Sequence, residues 1–105
     1  MSQPPRFFAK KTPSTIVDLV AFMHDKTADL GSRDDVAMDL SQFDEPEAEE
    51  GLLRVVLDHT QDEMIIDSAG DSLREIWERK GKRDTALVAR MHPSAQKFFT
   101  VDPKP

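Results

Sequence analysis

The side chains in this chain that could do chemistry are three histidines and twenty carboxylates, with no cysteine beside them. His24 precedes Asp25 at the end of an amphipathic stretch, where an imidazole suits the negative end of a helix dipole. His59, Asp62 and Glu63 bring one nitrogen and two oxygen donor groups into five residues, a set able in principle to meet a divalent ion. A turn between helices gathers the same residue types as caps, and capping is the role expected of them. His92 stands before Pro93 and reads as a turn residue. The absence of cysteine excludes thiolate catalysis, disulfides and cysteine-held metals. The four glycines are isolated, so there is no phosphate-cradling loop. Ser68-Ala69-Gly70-Asp71-Ser72 has the look of a nucleophile-bearing word, but it falls inside an amphipathic helix and not on a sharp strand-to-helix turn. No catalytic constellation, metal site or cofactor site is expected, and the chain reads as a non-enzyme.

Binding chemistry is better represented. Glu45, Glu47, Glu49 and Glu50 cluster at the start of a helix, followed by Arg54, and Trp77 stands later in the chain as a candidate apolar anchor. Such a cluster stabilises the positive end of its own helix and could steer a basic partner, at a rate that falls with salt. Trp77 is in register with Leu73, which also suits a core or core-edge position.

Helices must position these residues. Ser14 reads as a cap, with Ile16, Leu19, Val20 and Met23 spaced by three and four and Val17 and Phe22 widening the stripe. Gly31 is expected to end this first helix and Ser32 to cap the second, with Asp34 and Asp35 in its first turn. Asp44 is expected to cap the third, with Pro46 near its first turn and Ala48, Leu52, Val55, Val56 and His59 facing inward. The fourth runs from about residues 60–62 to Arg79 and is closed by Gly81; its inner face is Ile65, Ala69, Ser72, Leu73, Ile76 and Trp77. Gly70 within it costs on the order of 1 kcal/mol relative to alanine, which predicts tight packing against a neighbour. A hairpin of 53–57 with 64–67 is the lesser choice, because helical periodicity continues on both sides. Asp84 caps a fifth helix through Leu87, Val88 and Met91, broken at His92-Pro93, and 94–99 adds a short turn. Residues 1–12, with Pro4-Pro5 and Phe7-Phe8, read as an arm, 13–100 as one helical domain, and 101–105 as an extended tail.

A pattern recurs at an offset of about 33 residues: Val36 falls on Ala69, Ala37 on Gly70, Leu40 on Leu73 and Phe43 on Ile76. The order of small and large positions, Leu40-Ser41-Gln42-Phe43, the turn Asp44-Glu45-Pro46, Leu52-Leu53, Val56-Leu57 and then Asp58 resembles a HEAT-type repeat. Two departures are Glu45 between aspartate and proline, and Met64-Ile65-Ile66 where an arginine is usual. The resemblance implies an all-α fold, a short HEAT-like stack of antiparallel helix pairs with five main helices plus a short C-terminal turn. It also implies a binding surface as the working part.

With 105 residues and a formal net charge of −6, the chain suits one small domain and a basic protein partner, not nucleic acid or an anionic membrane. It has neither a signal-type apolar run nor a membrane-length segment, so a cytoplasmic location is expected. The expected function is protein binding, most concretely that of an immunity-type protein that sterically blocks a basic toxin. Glu49 and Glu50 would mimic substrate charge and Trp77 would anchor the contact. An adaptor that joins two proteins is the alternative, and a lyase-like enzyme related to HEAT stacks comes third. The sequence sets no oligomeric state.

Overall fold

The computed structural model describes residues 13–99. The expected arm and tail, including Phe7 and Phe8, lie outside the described residues. Every regular element among the described residues is helical: α1 Pro13–His24, α2 Leu30–Asp39 running into a 3₁₀ turn Leu40–Gln42, α3 Pro46–Leu57, α4 Glu63–Lys80, α5 Thr85–Arg90 and α6 Pro93–Gln96. The two runs of the hairpin alternative fall inside α3 and α4.

Local chemistry moves four expected features. The first helix stops at His24, well before Gly31, because the Asp25 carboxylate accepts the Thr27 N–H at 2.9 Å and the Thr27 hydroxyl at 2.6 Å. That local turn competes with helix continuation. Asp29 then caps α2 by accepting the Ser32 N–H at 2.9 Å, which leaves Gly31 and Ser32 inside the first turn. Before α3 the capping position is held by Glu45 with no side-chain bond; Asp44 instead takes a hydrogen bond from Arg79 Nε at 3.0 Å. His59 is exposed, since α3 ends at Leu57 and a second aspartate turn begins at Asp58.

This second turn exposes a duplication. Helices α1 and α3 start and end 33 residues apart, and so do the starts of α2 and α4. The connecting loops open on the same turn: Asp58 accepts the Thr60 N–H at 2.9 Å and the Thr60 hydroxyl at 2.5 Å, as Asp25 does from Thr27. Asp62 caps α4 by accepting the Met64 N–H at 2.8 Å, in the role that Asp29 plays for α2. The two loops touch through Lys26 Nζ, which donates to Thr60 Oγ1 at 3.0 Å. Two equivalent helical hairpins therefore lie side by side, α1 beside α3 and α2 beside α4, and α6 continues the second row.

Equivalent positions also make the contacts between units. Asp34 of α2 accepts from Ser68 of α4 at 2.5 Å, and its counterpart Asp67 of α4 pairs with Lys97, just after α6, at 2.6 Å. Ala37 is fully buried with its carbonyl accepting the Ser72 hydroxyl at 2.6 Å, while its counterpart Gly70 admits Ala95. The core fills the space between the rows with Ile16, Leu19, Met23, Leu40, Phe43, Leu52, Val56, Ile65, Leu73 and Ile76. Val17 and Phe22 do not join it and remain 51% and 38% exposed.

Two glycines set helix spacing. A Cβ on Gly51 would lie 2.7 Å from both methyls of Val20, and one on Gly70 would lie 2.8 Å from Ala95 Cβ and 2.9 Å from its Cα. Both Gly51→Ala and Gly70→Ala should lower stability in urea unfolding by about 1–3 kcal/mol through overpacking. Gly31→Ala, whose Cβ would meet nothing nearer than Asp29 at 3.5 Å, should be neutral or slightly stabilising. Equal effects at all three positions would contradict close approach as the reason for Gly51 and Gly70.

Candidate functional site

The acidic start of α3 is divided by helical geometry. Successive side chains turn by about 100°, so Glu47, Glu50 and Arg54 share one exposed face while Glu49 points the other way, in line with Leu52 and Val56. On the outer side, Glu47, Glu50 and Arg54 meet Val17, Val20 and Ala21 of α1 across a shallow groove of about 300 Å³. The close approach of Gly51 to Val20 holds the two helices at this spacing. Glu45 is half-buried at the helix start.

Glu49 is only 9% exposed. Its Oε2 accepts from Trp77 Nε1 at 2.8 Å and from Lys82 Nζ at 2.5 Å, and its Oε1 accepts from Lys80 Nζ at 2.9 Å. Burial on its own would push this carboxyl up, but the hydrogen bonds from Lys82, Lys80 and Trp77 together outweigh it and hold the group below its ordinary value. Trp77 is 3% exposed and meets Phe99 edge-on at 5.1 Å. Glu49 and Trp77 are thus joined to each other inside the molecule, and the open acidic face is left to Glu47 and Glu50.

The two lysines reach Glu49 because α4 ends in a left-handed glycine. Gly81 has φ 64°, and the Lys82 N–H returns to the Trp77 carbonyl at 2.9 Å, which turns Lys82 back toward α3. Arg79, Lys80, Lys82 and Arg83 make a basic knuckle at this end of α4. The sequence reading missed it, although four cations within five residues of an acidic chain were a visible signal. It also missed Arg33, which is 4% exposed, donates through Nε to the Met23 carbonyl at 2.9 Å and through Nη2 to Gln61 Oε1 at 2.8 Å. No carboxylate pairs with Arg33 among the described residues; the carbonyl end of α1 supplies the compensating negative potential.

The histidines take structural places. His24 Nε2 donates to the Gly51 carbonyl at 3.0 Å, linking α1 to α3. His59 Nε2 donates to the Arg90 carbonyl at 3.1 Å, and its ring lies 5.3 Å from that of His92. His92 caps α6, its Nδ1 accepting the Ser94 N–H at 2.9 Å, with Glu63 4.0 Å from its Nε2. The Asp62 carboxylate is occupied as the α4 cap. Among the described residues no three histidine or carboxylate side chains converge as a metal site would require.

No protein-family model, no curated protein and no solved structure gave a significant match to this chain.

Two measurements test this arrangement. Glu49→Gln removes the charge that faces both lysines and should cost about 1–2 kcal/mol in urea unfolding followed by Trp77 fluorescence; an unchanged midpoint would contradict the role of the carboxylate. His24 lies below its ordinary value of 6.5, chiefly through burial, opposed by its bond to Gly51 and assisted by Arg54. The unfolded chain therefore takes up more protons than the folded one as pH falls through that value, and stability drops in the same direction. The urea midpoint should decline from about pH 7.5 to about pH 5.5, with a shallower decline in His24→Gln. Identical slopes in the two proteins would exclude His24 as the source.

Proposed function

We propose that this chain is a protein-interaction module, a short HEAT-like stack that acts by laying the outer face of α1 and α3 on a basic surface of a partner. The observation that carries this reading is the shallow groove in which exposed Glu47 and Glu50 flank Val17 and Ala21. Apolar area there can be buried on contact, and the two carboxylates select a cationic rim. The duplicated hairpins support the HEAT-like reading, since stacked pairs present one row of helices as a continuous surface.

In its most concrete form the partner is a toxin whose basic substrate site is blocked sterically, as in immunity-type proteins. Small size and a net charge of −6 support that form. Glu50, with Glu47, carries the substrate-mimicking charge; Glu49 and Trp77 act indirectly by holding α3 against α4. The adaptor reading is favoured by a different observation, a second groove of opposite charge at the far end of α4. No helix among the described residues is long and apolar enough to cross a membrane, in keeping with a partner met in water.

The test is retention of proteins from native lysate on the immobilised chain, compared with Glu47→Lys/Glu50→Lys. A basic protein held at low salt should be lost at high salt and bind the double variant at least about tenfold more weakly. The far-UV circular dichroism should not change. Equal retention by both proteins would remove the acidic face from the function.

A further inference from the structure

A second concavity, larger than the α1–α3 groove, lies away from that face. It is an open groove of about 840 Å³ between the C-terminal end of α4, α5 and the segment after α6. Trp77, Val88, Phe98 and Phe99 form its apolar floor, and Lys82, Arg83 and Lys97 stand around it. The ammonium of Lys82 lies 5.5 Å from the centre of the Trp77 ring, and that of Lys97 lies 5.2 Å from the centre of the Phe98 ring. Cationic groups therefore cover aromatic surface along the groove.

The charge balance gives this groove a sign opposite to that of the whole chain. Its lining has four cationic residues, Arg74, Lys82, Arg83 and Lys97, against two acidic ones: Glu78 pairs with Arg74 at 3.0 Å, and Asp84, which keeps its charge, caps α5 by accepting the Leu87 N–H at 3.0 Å. Lys80 and Lys82 share the single carboxylate of Glu49, and Lys97 is held by Asp67. Arg83 has no acidic partner among the described residues and is exposed at the wall of the groove. An unneutralised guanidinium beside an apolar floor fits a carboxylate flanking an apolar side chain.

We propose that this groove is a second docking surface, for an acidic peptide segment with an apolar anchor. The anchor lies on Val88, Phe98 and Phe99, and a flanking carboxylate pairs with Arg83. The site is independent of the α1–α3 face. A chain using both surfaces would join a basic partner to an acidic one.

Trp77, the single tryptophan of the chain, reports occupancy from the floor of the groove. The experiment titrates the full chain with a tryptophan-free peptide in which a Leu-Phe pair is flanked on each side by two acidic residues. The expected result is a saturable change in Trp77 fluorescence, weakened on the order of tenfold by Arg83→Glu and left intact by Glu47→Lys/Glu50→Lys. Far-UV circular dichroism of Arg83→Glu should match the wild type. The proposal is overturned by the absence of a saturable change, or by equal binding of a peptide with lysine flanks. It is also overturned by equal affinity in Arg83→Glu, or by sedimentation showing that a second copy of the chain fills the groove instead. Loss of binding in the α1–α3 double variant would show that the peptide sits on that face and not in the groove.

Discussion

A carboxylate inside the packed body of the molecule organises much of what surrounds it. Glu49 occupies the position equivalent, one unit on, to Ile16, a fully buried core residue of α1. Placing a charge there is costly unless its oxygens are satisfied, and removing one partner from such a cluster destabilises more than the intact cluster stabilises. Trp77, Lys80 and Lys82 supply the hydrogen bonds. Satisfying Glu49 fixes the indole and engages Lys80 and Lys82, the latter turned back toward α3 at Gly81, while Arg83 is left without an acidic partner among the described residues. Both candidate docking surfaces follow from that arrangement: Glu47 and Glu50 are the acids that remain outside, and the far groove has Trp77 in its floor.

The duplication explains how so short a chain builds two rows of helices. In each hairpin the first helix is stopped by an aspartate–threonine turn and the second is started by an aspartate cap, so the chain reverses twice with similar local chemistry. Local bonds of this kind specify the loops before long-range packing is complete. The small positions Ala37 and Gly70 then let the next element approach closely, and the third member of the row is cut down to the short α6. Helical pairs that contact mainly their neighbours need their ends covered. At one end α6 covers α4; at the other the outer surface of α1 keeps Val17 exposed, within the face assigned to a partner.

Much of this was legible in the sequence, and the parts that were not have identifiable causes. Apolar spacing gave the inner faces of α1, α3 and α4, and the energetic cost of Gly70 correctly implied a close neighbour. The 33-residue offset was visible between Val36 and Phe43, but its continuation through Asp25/Asp58, Thr27/Thr60 and Asp29/Asp62 became apparent only when the two aspartate–threonine turns showed the same hydrogen bonds and the two later aspartates both proved to be caps. Glu49 was read with its acidic neighbours because composition dominates a run of glutamates; its phase relative to Leu52 and Val56 was the signal that it points inward. Arg33 was opaque for a related reason, since a charged residue near a helix start ordinarily faces water and its acceptors, Met23 and Gln61, come from other elements. The boundary of α1 was misplaced because glycine was given more weight than an aspartate side chain able to close its own turn.

The central claim is that the outer face of α1 and α3 is the working surface, and nuclear magnetic resonance tests it most directly. Amide spectra of the labelled full chain would be recorded with and without the basic protein it retains. The result in agreement is perturbation concentrated at Val17, Val20, Ala21, Glu47, Glu50 and Arg54, with the amides of α4 and of both aspartate turns unmoved. Perturbation that avoids this face and gathers at the histidines or along α2 would contradict it.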